Sequence, residues 1–187
     1  MKYKFLYIFF ISQIIYSQQF RNITSISDLN EISGNNGVAV ADYDQDGDLD
    51  IFIVSEDGNE NISRLLQNTN NGNFVDVTEN SGINQNLNHE IDLINYDDNG
   101  EFSFDTIEHG DRLSASWGDF NNDGYPDLFL GNAVQSELYK NNGNGTFSNI
   151  TESAGFEISC EKCYIAGALW LDYDLDGYLD IFLSDYN

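Results

Sequence analysis

Short apolar runs, separated by polar segments rich in asparagine and glycine, follow one another along most of this chain. Three of them, IFIV, LFLG and IFLS, begin at Ile51, Leu128 and Ile181. Short runs of apolar, β-forming residues favour buried strands over helices, which need longer periodic stretches. A second strand-like run precedes each of them, as VAVAD, SWGD and ALWLD, and leads into a cluster of acidic residues. The pattern therefore predicts an all-β fold.

Two more strand signals recur after these pairs. A Leu-rich run begins at Leu65 and again at Leu138, and the phrase F-x-x-[IV]-T begins at Phe20, Phe74 and Phe147. Asn-Gly turns stand between the two signals, as in NNGNF and NGNGTF, and are typical of β-hairpins. A unit thus contains about four short antiparallel strands, which make one blade of a β-propeller.

The spacing of the repeats predicts the domain organisation. A period of roughly 50 residues is typical of a propeller or a solenoid, and we expect units at residues 20–73, 74–146 and 147–187, the last incomplete. These are about three blades, whereas a propeller closes with roughly four to eight, so we expect part of a longer propeller. The longer second spacing indicates a hairpin inserted within residues 84–111, with its turn at Asp98, Asn99 and Gly100.

The acidic clusters are three copies of one nine-residue loop: DYDQDGDLD at 42–50, DFNNDGYPD at 119–127 and DYDLDGYLD at 172–180. We call these the first, second and third loops. In each, acidic or amide side chains stand at positions 1, 3, 5 and 9, with glycine at position 6. Alternate spacing in a tight loop brings side-chain oxygens to one point, where anionic groups repel unless a cation lies among them. Hard oxygen ligands at this density suit calcium.

The glycine permits a sharp turn that directs the position 7 carbonyl to the same ion. The candidate ligands are therefore the side chains at positions 1, 3, 5 and 9 and the carbonyl of position 7: Asp42, Asp44, Asp46, Asp48 and Asp50; Asp119, Asn121, Asp123, Tyr125 and Asp127; Asp172, Asp174, Asp176, Tyr178 and Asp180. We expect up to three Ca²⁺ ions, with the second loop weakest because Asn121 removes one carboxylate.

Two alternatives to this metal site were weighed. Asp, Asn and Gly are ordinary turn residues, but three copies with the same fixed positions favour a metal. An EF-hand would need a glutamate at position 12 on a following helix, where this chain has Ile53, Leu130 and Leu183 in predicted strands.

The formal charge of −25 limits the partners. Of the 32 acidic residues, five, three and four lie in the first, second and third loops, so much of the excess is ligand. The charge argues against nucleic acid and anionic membranes as partners. Cations, neutral sugars and basic protein surfaces are compatible with it.

The N-terminus carries a signal-peptide pattern. Lys2 and Lys4 precede an apolar stretch from Phe5 to Tyr16, which is shorter than the roughly 20 residues that span a bilayer. We expect residues 1–17 to be a signal peptide and residues 18–187 to be secreted or held at the cell surface or in the periplasm, without a membrane span. A buried N-terminal strand and an uncleaved anchor are the alternatives.

The phrases DYDQDGDLDIFIV, DFNNDGYPDLFLGN and DYDLDGYLDIFLSDYN, with LYKNNGNGTFSNITESAG, resemble the FG-GAP and VCBS repeat family. The resemblance covers roughly residues 20–187. It implies an integrin-type, seven-bladed β-propeller in which such loops bind calcium within each blade. The chain is also similar to large exported bacterial proteins that combine these repeats with an ASPIC/UnbV segment, although these residues contain none.

The remaining polar and aromatic residues give weaker signals. Cys160 and Cys163 favour a local disulfide over free thiols in an exported chain. Trp117 and Trp170, each two residues before a loop, are expected as core between blades. His89 and His109 are too isolated to nominate as ligands.

Two classes of function remain open. The first is a non-enzymatic, calcium-stabilised binding or adhesion module for an extracellular protein or glycan. The alternative is the propeller part of a polysaccharide-active enzyme, a lyase or a hydrolase. No catalytic residue is assigned, because every well-placed acid already has a metal role.

Overall fold

The structure is a computed structural model, and it describes residues 35–55, 63–69, 72–83, 91–96, 102–107, 112–132, 135–156 and 165–185. The predicted signal peptide at 1–17, the phrase beginning at Phe20 and the turn at Asp98–Gly100 lie outside these ranges. The same holds for both histidines and for Cys160 and Cys163.

Strands dominate the described part of the chain, and the all-β prediction is confirmed. Their bounds are β1 Asn35–Ala41, β2 Asp50–Ser55, β3 Arg64–Asn68, β4 Phe74–Asp76, β5 Ile91–Tyr96, β6 Phe102–Ile107, β7 Arg112–Gly118, β8 Asp127–Asn132, β9 Glu137–Asn141, β10 Phe147–Asn149, β11 Ile165–Leu171 and β12 Asp180–Asp185. A 3-10 turn, Thr78–Asn80, follows β4. Across these ranges the structure has no helix long and apolar enough to cross a membrane.

The strands form successive antiparallel sheets in chain order. The first sheet runs β1-β2-β3-β4 and the second β7-β8-β9-β10, while β11 and β12 form the first two strands of a third. The two described F-x-x-[IV]-T phrases, beginning at Phe74 and Phe147, thus supply the outermost strands of their sheets, paired with the Leu-rich strands. The arrangement is a partial, propeller-like array, as expected. The total of seven blades stays a prediction.

The inserted hairpin is present as β5 and β6. They pair antiparallel from Ile91 with Ile107 to Tyr96 with Phe102. The Asn-Gly and Asp-rich signals between two strand-like runs therefore predicted the insertion correctly.

The threonine that ends each of the two described F-x-x-[IV]-T phrases fixes the outermost strand. The Thr78 hydroxyl accepts the backbone N–H of Leu65 at 2.9 Å, and Thr151 accepts that of Leu138 at the same distance. Each hydroxyl also donates to the side chain two residues before it, Asp76 or Asn149. The phrase recurs because its polar residues satisfy a backbone group of the neighbouring strand.

The second sheet is covered on both faces. Its innermost strand, β7, packs against β1 on one side and β11 on the other. Leu128 and Leu130 of β8 join the core shared with the first sheet, whereas Phe129 between them joins the core shared with the third. Because both faces are buried, β8 reads as a continuous apolar run.

Aromatic residues seal the junctions between sheets. Trp117 stacks on Tyr43 of the first loop, with ring centroids 6.3 Å apart, and Trp170 stacks on Phe120 of the second at 6.5 Å. A side chain at Gly118 would meet the Trp170 ring at about 2.6 Å, which explains the glycine. The expectation that both tryptophans are core between blades is confirmed.

The outer face of the third sheet is exposed, unlike that of the second. Phe182, at the same register position as the buried Phe129, is 65% exposed, and Tyr173 is 81% exposed. Leu169 and Leu175 are exposed on the same unit. This face carries the residue types that other sheets use for packing against a neighbour.

Candidate metal centres

Each acidic loop joins the two innermost strands of a sheet at the same point. The residue before the loop pairs with the position 9 aspartate: Ala41 with Asp50, Gly118 with Asp127 and Leu171 with Asp180. The strand ladder therefore closes the base of every loop and brings positions 1 and 9 together.

Two residues in each loop take the left-handed backbone conformation. The position 6 glycines have φ of 93°, 93° and 92°, as the sequence led us to expect. Position 4 is also left-handed, with φ of 61° at Gln45, 57° at Asn122 and 62° at Leu175. Two such residues within three positions curl the backbone tightly, so that its N–H groups point inward.

These N–H groups donate to the acidic side chains in one repeated pattern. The position 1 aspartate accepts the N–H of positions 5 and 6, and the position 5 aspartate accepts the N–H of position 7. The bonds to position 1 measure 3.0 Å from position 5 in every loop, and 3.1, 2.8 and 3.0 Å from the glycine. The bonds from position 7 measure 2.8, 3.0 and 2.8 Å. The three loops thus share one backbone conformation and this set of hydrogen bonds.

The position 9 aspartate also closes the loop. Asp50 accepts the N–H of Tyr43 at 3.2 Å and of Asn68 at 2.8 Å, and Asp127 accepts those of Phe120 and Asn141 at the same distances. Asp180 accepts the N–H of position 2 at 2.9 Å. In the first and second loops, position 9 therefore joins the loop to the third strand of its sheet.

Burial raises the pKa of two of the position 9 aspartates. Asp50 and Asp127 are fully buried. Desolvation raises the pKa of each to about 6; hydrogen bonds from backbone N–H groups oppose the rise, and nearby loop carboxylates add to it. A cation among these oxygens would favour their charged forms.

The structure brings some of the predicted ligands together. Carboxylate oxygens of Asp42, Asp44 and Asp50 lie within 4.8 Å of one another, as do those of Asp172, Asp174 and Asp176. These are the acidic trios of that kind among the described residues. Asp46 and Asp48 lie outside the first trio, and Asp180 lies outside the third.

The second loop differs from the others in one hydrogen bond, which Asn121 donates. Its carboxamide oxygen accepts the N–H of Asp123 at 2.9 Å, and its nitrogen donates to Asp127 at 3.1 Å. The Asn121 amide nitrogen thus contacts one candidate ligand, Asp127, while Asp119 keeps the same hydrogen bonds as Asp42. The position 7 carbonyls of Asp48, Tyr125 and Tyr178 stay predicted ligands.

Contacts between loops were missed by sequence reasoning. The Gln45 amide donates to the carbonyl of Gly124, and the Asn122 amide donates to that of Gly177 at 2.7 Å. Position 4 of one loop therefore holds position 6 of the next. The sequence signal was an amide side chain at position 4 in two of the loops.

A second missed pair lies in the third strands. Gln67 donates to Asp44 of the first loop at 2.6 Å, and the Lys140 ammonium lies 3.4 Å from Asp123 of the second. Both stand directly before the asparagine that ends the Leu-rich strand, in LLQN and LYKN. Aligning the repeats would have placed them beside the loops.

Sheets of four short antiparallel strands, each carrying an acidic loop between its first two strands, define a repeat protein of the propeller type. Residues 119–183, which span the second loop to the third sheet, match the family described as FG-GAP-like repeat. This match covers about a third of the chain and supports the resemblance to the FG-GAP repeat family. No curated protein matches it. The finer resemblance to ASPIC/UnbV-type proteins stays a prediction.

Proposed function

We propose that this chain is an exported calcium-binding repeat protein whose propeller-like array serves as a binding or adhesion module for an extracellular protein or glycan. One observation carries the calcium assignment. The same loop occurs three times with matching backbone conformation and hydrogen bonds, and in two copies three carboxylates converge within 4.8 Å.

The donor set fits calcium. Each loop offers only carboxylate, amide and carbonyl oxygens at the candidate positions, which are the ligands of hard cations. Several of these side chains are partly exposed, so water can complete a coordination shell of about six to eight oxygens. Magnesium demands a stricter octahedron, and zinc prefers nitrogen or sulfur.

Calcium would stabilise the array by neutralising aspartates that the fold holds together. Each loop joins the two innermost strands of its own sheet, and the loops of neighbouring sheets bond to one another through Gln45 and Asn122. A stable array presents loops and an inserted hairpin from a fixed frame, which is how repeat proteins bind partners. The formal charge of −25 favours neutral glycans or basic protein surfaces.

Calorimetric titration of residues 18–187 tests the metal. We expect heat from calcium in up to three binding events, with little from zinc. Asp44→Asn and Asp174→Asn are matched variants, because each installs the amide that the second loop has naturally as Asn121. Each should weaken a single event. Zinc binding without calcium binding would refute the assignment.

Incubation with glycan arrays and with polysaccharides separates the two classes of function. Calcium-dependent capture with the glycan recovered intact supports a binding module. New reducing ends or unsaturated sugars would instead support the enzyme alternative.

A further inference from the structure

Among the described residues, the second loop has a charged neighbour where the first has a neutral one. Lys140 in β9 and Gln67 in β3 occupy the same position of their strands, and both side chains reach the acidic loop of their own sheet. Gln67 brings a neutral amide to Asp44, whereas Lys140 brings an ammonium to Asp123. The repeat therefore places different charges at one structural position.

The ammonium lies against the carboxylate of Asp123, one of the candidate ligands. Asp123 Oδ1 accepts the N–H of Tyr125 at 3.0 Å, while Oδ2 lies 3.4 Å from Lys140 Nζ. The first loop contains five aspartates. The second contains three, with the amide of Asn121 in place of an acid and one ammonium beside them. Its need for an external cation is correspondingly smaller.

We propose that Lys140 is the resident cation of the second loop. It offsets the repulsion among Asp119, Asp123 and Asp127, so this loop keeps its conformation without metal and binds calcium more weakly than the other two. This inference rests on the proposed function, because it concerns calcium at the same loops.

The expected size follows from Coulomb's law. A unit charge roughly 5 Å from a divalent ion, in water-like surroundings, changes its affinity by about tenfold at low salt. Lys140 is 42% exposed and Asp123 35%, so the effect should shrink as ionic strength rises.

Reciprocal substitution is the test. Lys140→Gln gives the second loop the residue of the first, and Gln67→Lys gives the first loop that of the second. Lys140→Arg keeps the charge and is the control. Each variant of residues 18–187 is titrated with calcium by calorimetry and melted in excess chelator.

We expect Lys140→Gln to tighten the weakest calcium event about tenfold and to lower the melting temperature in chelator. Gln67→Lys should weaken one of the tighter events and raise that temperature, while Lys140→Arg changes neither. In an Asp123→Asn background, Lys140→Gln should leave the remaining calcium affinities unchanged, which assigns the effect to the second loop.

Two results would overturn these ideas separately. If the wild-type chain binds calcium but Lys140→Gln leaves every affinity unchanged, the role of Lys140 is wrong and the proposed function stands. If no variant binds calcium, the proposed function is wrong. Unchanged melting temperatures in chelator would then also refute charge compensation by Lys140.

Discussion

Phe129 and Phe182 occupy equivalent positions in two sheets, so comparing them tests how the sheets pack. Both are the third residue of the strand that leaves an acidic loop, in β8 and β12. Phe129 is fully buried between the second and third sheets, whereas Phe182 is 65% exposed. The two residues differ in whether a further sheet covers them, so the same substitution should have very different costs.

The magnitudes follow from burial. Removing a buried phenylalanine side chain costs about 3–5 kcal/mol, from lost transfer free energy and the cavity that remains. Phe129 also loses an edge-to-face contact with Phe156, whose ring centroid lies 5.4 Å away. Phe182→Ala removes a side chain that is mostly in water already and should cost about 1 kcal/mol or less.

Urea denaturation in saturating calcium, followed by tryptophan fluorescence, measures the difference. With a typical slope, Phe129→Ala should unfold at about 1–2 M lower urea than Phe182→Ala. If Phe129→Ala does not fold, the milder pair Phe129→Leu and Phe182→Leu keeps the same order. Equal shifts for the two positions would show that the third sheet does not cover Phe129, and the described packing would be wrong.

Three further predictions concern polar residues. Asn121→Asp should tighten calcium binding at the second loop, because ligand charge tunes affinity. It should also lower stability in chelator, because the hydrogen bond from the Asn121 amide to Asp127 is lost. Unchanged affinity in calorimetry would contradict the prediction. Thr151→Val should cost about 1–3 kcal/mol in urea denaturation, because the buried N–H of Leu138 loses its acceptor, whereas Thr151→Ser should cost less. Burial raises the pKa of Asp76, but hydrogen bonds from Thr78 and the ion pair with Arg64 outweigh it and lower the pKa overall. The stabilisation that the charged Asp76 gives should therefore be present at neutral pH and lost as pH falls below about 4. Asp76→Asn should therefore cost more stability at pH 7 than at pH 3; a cost independent of pH would contradict the lowered pKa.

The strands and loops were readable from the sequence because their causes are local. The runs beginning at Ile51, Leu128 and Ile181 became β2, β8 and β12, since short apolar runs bounded by turn residues have few other solutions. Glycine at position 6 likewise indicated a left-handed residue. Each inference needed only a few consecutive residues.

The left-handed residue at position 4 was not readable in this way. Gln45, Asn122 and Leu175 share that conformation, yet of these three residue types only asparagine commonly adopts it. The hydrogen bonds of the surrounding aspartates impose it on glutamine and leucine as well. A conformation set by the whole loop leaves no signature in the residue that adopts it.

The roles of the aspartates also depended on distant partners. Position 9 was predicted as a ligand of the same kind as position 1, but Asp50 and Asp127 are fully buried and accept N–H groups from the third strand of their sheets. Those partners, Asn68 and Asn141, are 18 and 14 residues away in the chain. Only the sheet pairing brings them to the loop.

Residues that differ between the repeats determine contacts between loops that the shared motif does not predict. The motif alone predicts three loops of similar calcium affinity, except that Asn121 lowers the affinity of the second. The structure adds that the first and second loops are each bonded to the next through Gln45 and Asn122, and that Leu175 has no amide with which to continue the series. A loop's conformation therefore depends on its neighbours as well as on its own nine residues. For this reason the order of calcium affinities has to be measured in the intact array, where those contacts are present.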